Sequence, residues 1–122
     1  MSFIAQASVD KDLFDLHAHR PEAFPFLLES VAGHPRSGRF DLLLAQPEAL
    51  TLQGDPFSAL DAAATAMPLL PALPALPYLG GWLLFAGYEA ARWVEPGVDF
   101  HPATPRQPDA WLARCPRALV RD

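Results

Sequence analysis

The stretch Leu76-Pro77-Tyr78-Leu79-Gly80-Gly81-Trp82-Leu83-Leu84-Phe85-Ala86-Gly87-Tyr88-Glu89 is the most informative part of the chain. The Gly80-Gly81 pair opens it, and Trp82 to Ala86 is an apolar, aromatic run of strand length. Gly87 permits a sharp turn. A short helix carrying Tyr88, Ala91 and Trp93 is expected next, and Pro96-Gly97 ends it.

On the N-terminal side, Asp10 or Asp12 is placed to cap a short first helix, with Leu13, Phe14 and Leu16 facing inward and Pro21 stopping it. Residues 24–30 read as a strand. Its run Phe26-Leu27-Leu28 is apolar at consecutive positions, which predicts burial on both faces. Residues 31–38 hold Gly33, Pro35, Ser37 and Gly38 and read as a loop. A second strand spans 39–46 until Pro47 breaks it, and the close succession of the two favours a hairpin. Ala49 to Leu52 is expected to return as a short hairpin partner before the Gly54-Asp55 turn. Asp55-Pro56 opens the clearest helix, with Phe57, Leu60, Ala64 and Met67 at helical spacing and Pro68 as the stop.

Residues 69–77 alternate proline with leucine and alanine and should be extended and semi-rigid. Beyond the opening stretch, 98–108 is a proline-broken loop. Residues 111–120 read as a final strand, kinked at Pro116. The expected class is α+β, with mostly antiparallel strands and helices packed on one side. The length of 122 residues suits a single domain spanning 1–122, or one lobe of a larger unit.

Composition narrows the function. The formal charge is −5 and the sole lysine is Lys11, so no basic nucleic-acid footprint is present. Arg114, Arg117 and Arg121 read as a solvated strand face. The N-terminus lacks the basic and apolar regions of a secretory signal. Prolines at 68, 71, 74 and 77 break the longest apolar stretch, which rules it out as a membrane helix. A cytoplasmic location is expected. Cys115 is the only cysteine, so no internal disulfide forms.

No catalytic constellation emerges from residue types alone. A phosphate-cradling loop needs Gly-Lys-Ser/Thr, which Lys11 does not supply, and no GxSxG elbow is present. Arg117 lies close enough to Cys115 to activate it, but a buried strand cysteine is the simpler reading. His17 and His19 are two apart, so on a helix they point to different faces and do not share a metal. Glu29 ends a strongly apolar strand, as a functional group or as the exposed strand end.

Four blocks, in order, resemble the N-terminal region of the anthranilate synthase and aminodeoxychorismate synthase component I family. They are Phe26-Leu27-Leu28-Glu29-Ser30; Arg39 to Pro47; Leu76-Pro77-Tyr78-Leu79-Gly80-Gly81 leading to Gly87-Tyr88-Glu89; and Gln107-Pro108-Asp109 with Ala118 to Asp122. The likeness spans roughly residues 24–122. Arg39-Phe40-Asp41 with Pro47 is closer to the aminodeoxychorismate branch, with the anthranilate branch as the alternative.

The resemblance implies two packed β-sheets with helices outside, and an amino-acid pocket that takes tryptophan as a feedback or structural ligand. The positions matching the pocket motif are Leu28, Glu29, Ser30, Arg39 and Phe40. The chemistry suits such a ligand. Ser30 can hydrogen-bond its ammonium or carboxylate, and Glu29 adds charge near the ammonium. Leu28, the Arg39 stem and Phe40 offer an apolar wall for an indole. Two departures stand out: Leu84 falls where the family often has glycine, and the 31–38 loop is one residue longer than in some relatives.

By the same resemblance, the chorismate site, the magnesium ligands and the acid–base groups belong to a C-terminal catalytic region, which these 122 residues do not contain. The whole enzyme would take ammonia from a glutamine amidotransferase subunit and make 4-amino-4-deoxychorismate for p-aminobenzoate and folate. This chain alone is expected to hold no cofactor and to be inactive, as a truncated chain, a proteolytic product or a separately produced domain. A standalone amino-acid-binding regulatory or scaffold module is the rival expectation. Open apolar strand edges lead to the further expectation of a homodimer that covers them.

Overall fold

Among the described residues, both α-helices begin where an aspartate offers its carboxylate to an unsatisfied backbone N–H. Asp12 accepts from Phe14 N (3.2 Å) at the start of α1, Leu13–His19, and Asp55 accepts from Phe57 N (3.0 Å) at the start of α2, Pro56–Ala66. Pro56 occupies the first turn of α2, where its missing N–H has no helical partner to lose. The computed structural model describes residues 4–6, 8, 10–31, 38–51, 53–67, 76–100 and 108–122. The proline-rich segment expected to be extended lies mostly outside these residues, as do most of the 31–38 loop and the 101–107 part of the later loop.

Among the described residues, six strands form two antiparallel sheets of three, so the α+β class expected from the sequence holds. The first sheet has the order β1 (Phe26–Leu28), β2 (Asp41–Ala45), β6 (Arg117–Arg121). The second has β3 (Ala49–Thr51), β5 (Ala110–Cys115), β4 (Gly81–Ala86). A 3-10 helix, Tyr88–Trp93, follows β4. The expected β1–β2 hairpin is present, with Leu27 opposite Leu43.

Several local expectations are corrected. Ala49–Thr51 does not return onto β2, because β6 already occupies that edge; it pairs with β5 in the other sheet. The single final strand is two strands, split where Pro116 has no N–H to give a ladder. Phe14 is 56% exposed, because on α1 the inward stripe runs through Leu13 and Leu16. β1 is an edge strand, so Leu28 stays 42% exposed and its two faces are not both buried.

The two crossings between sheets lie side by side. Ala45 pairs with Arg117 in the first sheet and Ala49 with Arg114 in the second. Residues 46–48 therefore face only 115 and 116, one residue extra on the first strand. Such an extra residue bends an antiparallel pair, as a β-bulge does. Gln46 absorbs the bend at φ 49°, held by its N–H to Ala23 O (2.8 Å) and by Arg117 donating to its side-chain oxygen (2.9 Å).

The core sits between the sheets. Leu44 of β2 packs with Ala113 and Cys115 of β5, and Phe26, Leu42, Leu83, Trp111 and Ala118 close around them. Trp111 stacks on Phe26 across the sheets, with ring centroids 5.2 Å apart, and on its strand neighbour Phe85 at 5.6 Å. Each stacked pair adds about 0.5–1.5 kcal/mol beyond the area it buries. Leu112 lies on the opposite face of β5 and is buried as well, and α2 packs against this strand.

The corner at Pro116 is braced from the 76–81 segment. Tyr78 donates its hydroxyl hydrogen to Cys115 O at 2.5 Å, and burial pushes the tyrosine pKa up to about 12. Gly80 has φ +103°, and a Cβ there would lie 3.1 Å from Pro116 O, a backbone atom that cannot swing aside. Gly80→Ala is accordingly expected to lower stability by about 1–3 kcal/mol. A denaturant melt checks this, and an unchanged midpoint would show that the corner tolerates a side chain.

Candidate functional site

The pocket-motif residues come from two stretches about ten positions apart, and the β1–β2 register joins them. Leu28 opposes Leu42, so Glu29 and Ser30 run out beside Phe40 and Asp41. Ser30 Oγ donates to Phe40 O (2.9 Å), and Ser30 N donates to Asp41 Oδ1 (2.8 Å). The serine hydrogen is therefore committed, while its lone pairs remain able to accept from an ammonium.

Arg39 reaches across to Asp122. Its Nε donates to Asp122 Oδ1 (2.5 Å) and its second nitrogen to the other carboxylate oxygen. The same guanidinium lies 4.8 Å from the centre of the Phe40 ring. Asp122 raises the Arg39 pKa, and Arg39 holds the Asp122 carboxyl below its ordinary value. The pair is exposed, so it adds little to stability, and an incoming carboxylate could exchange with Asp122.

Behind this corner sits a second arginine. Arg121 donates to Asp41 Oδ2 from two nitrogens (2.9 and 2.6 Å) and to Asp12 Oδ1 (2.9 Å). One side chain of β6 thus ties β2 to the cap of α1. Asp41 has its pKa lowered first by the Ser30 N–H and then by Arg121. Asp12 is lowered first by the Phe14 N–H.

Leu28 and Glu29 belong to a neighbouring feature, an open groove of about 430 Å³. It is lined by Phe14 and His17 of α1, by the run 25–29 along β1, and by Leu83 of β4. That volume falls within the range of roughly 300–1,000 Å³ typical of small-molecule clefts. His17 Nδ1 lies 2.7 Å from Phe24 O, which orients the ring at the groove wall. Phe26, Leu28 and Leu83 give the groove apolar lining, and Glu29 beside them is exposed.

The five predicted residues therefore divide. Leu28 and Glu29 line the groove, while Ser30, Arg39 and Phe40 form a polar shelf next to it. Sequence reasoning missed Asp41, Arg121 and Asp122 as the anchors of that shelf, and missed Phe14 and His17 as groove walls. The anchoring pairs are separated by about eighty positions, beyond the reach of local spacing. The other candidate groups are placed apart from it. His19 Nδ1 lies 2.7 Å from Asp15 O, away from the partner of His17. Cys115 is fully buried, and burial raises its thiol pKa. Arg114, Arg117 and Arg121 are exposed, each engaged by a neighbouring acidic or amide side chain.

No three His, Cys, Asp or Glu side chains converge as a metal site among the described residues, and none of the described helices is long and apolar enough to cross a membrane. The chain matches no protein-family model and no curated protein.

The shelf has a pH signature. Asp41 titrates lower in the folded chain than its ordinary value of about 3.9, so between the two values the unfolded chain binds more protons. Its contribution is complete above the unfolded-state value and is lost as the pH falls through the folded-state value. Thermal midpoints of the native chain should fall below about pH 4, and Asp41→Asn should flatten part of that fall while modestly lowering the neutral-pH midpoint. Parallel acid limbs in the two proteins would remove Asp41 from this role.

Proposed function

We propose that this chain is the N-terminal, non-catalytic region of an aminodeoxychorismate synthase component I, and that its groove and shelf form an amino-acid pocket suited to tryptophan. One observation carries the reading. The two motif stretches, at 28–30 and 39–40, come together beside an apolar groove that Leu28 and Glu29 line, with Ser30 bonded to Phe40. In the proposed pose the indole lies along Phe26, Leu28 and Leu83. The ammonium sits between the Ser30 lone pairs and Glu29, and the carboxylate exchanges with Asp122 on Arg39.

In this reading the whole enzyme aminates chorismate with ammonia from a glutamine amidotransferase partner, in the cytoplasm. Magnesium and the reacting groups belong to the catalytic region. No step of the synthase reaction is assigned to this chain, since the resemblance places those groups in the catalytic region. Its contribution is to bind and orient an amino acid.

A thermal melt with and without millimolar L-tryptophan tests the pocket. Binding to the native state alone raises stability by about 1.4 kcal/mol at ligand tenfold above Kd, a shift of several degrees. The expected outcome is a shift with tryptophan, little with phenylalanine, and most of it lost in Ser30→Ala. A cooperative melt that tryptophan does not move would reject the pocket.

A further inference from the structure

Among the described residues that line the groove, only His17 and Glu29 carry side chains able to hydrogen-bond; the rest are apolar. In small-molecule clefts a few polar groups fix the orientation of a ligand and set its specificity, while the apolar lining supplies area. Glu29 is an acceptor suited to an ammonium, and the proposed pose uses it there. His17 has no part in that pose, although it lines the same groove.

The hydrogen bonding of His17 defines what it can offer. Phe14 and His17 lie three apart on α1, so they share a face, and both line the groove. His17 Nδ1 is 2.7 Å from Phe24 O, just ahead of the lining stretch 25–29. A carbonyl oxygen only accepts, so Nδ1 carries the hydrogen of that bond. In the neutral ring Nε2 then keeps its lone pair. Among the described residues the bond at Nδ1 is the only one His17 makes, which leaves Nε2 as an acceptor without a partner. His19 differs: its ring bonds Asp15 O on its own helix and takes no part in the groove.

We propose that His17 is the specificity-determining residue of the groove, its Nε2 accepting a hydrogen bond from the ring N–H of an indole. An aromatic side chain without that donor fills the same apolar space but leaves Nε2 unpaired. The inference rests on the amino-acid pocket proposed above and deepens it, because it names the group that separates an indole from other aromatic rings. The work is divided: Ser30, Glu29 and Arg39 read the amino-acid head group, and His17 reads the ring nitrogen.

Isothermal titration of the full chain in mildly alkaline buffer tests this with two ligands, L-tryptophan and 3-benzothienyl-L-alanine. The second keeps the shape of the first and has sulfur in place of the ring N–H. His17→Asn can keep a donor near the position of Nδ1, toward Phe24 O, but has no atom at the position of Nε2. His17→Gln can present an amide oxygen there. The native chain should prefer tryptophan by about tenfold or more. His17→Asn should bring the two ligands close to parity by weakening tryptophan alone, and His17→Gln should recover part of the preference. A purely structural role for His17 would weaken both ligands alike. Equal affinities in the native chain, or a preference that survives His17→Asn, would overturn the role of His17 and leave the pocket standing. A native chain that binds neither ligand would overturn the pocket and this inference together.

Discussion

One bent antiparallel ribbon holds the structure together. β2 and β3 run against β6 and β5 through both sheets, and the ribbon turns where residues 46–48 face 115 and 116. Each crossing carries a proline, Pro47 on one strand and Pro116 on the other. A proline cannot donate to a ladder, so each strand gives up pairing at the point where it must change sheets. Because the same two stretches serve both sheets, a register slip in one would displace side chains in the other. This coupling keeps Leu44 of β2 against Ala113 and Cys115 of β5. Tyr78 and Gly80 press on the same corner, which explains why a positive-φ glycine sits beside the Pro116 carbonyl.

The other end of the first sheet is organised by charge. Arg121 and Arg39 draw together Asp12, Asp41 and Asp122, groups far apart in the chain. These pairs are largely exposed, so they contribute more to orientation than to stability. Their effect is to hold the α1 cap, the end of β1 and the start of β2 in one arrangement. The proposed amino-acid pocket depends on that arrangement. Its apolar part comes from residues already needed for packing, and its polar part from groups that the ion pairs hold in place.

The groove is roomy enough for an amino acid, and Leu83 of β4 lines it together with β1 and α1. Toward an amino-acid head group its polar chemistry rests on Ser30, Glu29 and Arg39, which lie beyond the end of β1 and ahead of β2.

Much of the local structure was determined by the sequence itself. Asp12 and Asp55 set helix starts, the Asp55-Pro56 pair most clearly, since capping and a first-turn proline act within a few residues. Glycines 80 and 81 marked the entry to β4, and the short loop between the first two apolar runs made the β1–β2 hairpin legible. The α+β class followed from these elements. What the sequence alone did not decide was partnership. β3 joins β5 rather than β2, Pro116 separates two sheets rather than kinking one strand, and Phe14 stays exposed along the groove. The site divides in the same way. Leu28, Glu29, Ser30, Arg39 and Phe40 were legible as a motif, but Asp41, Arg121, Asp122 and His17 joined them only in the folded chain. Caps and turns are settled by neighbours along the backbone, whereas ladders, ion pairs and groove walls are settled by which distant segments compete for the same edge or charge.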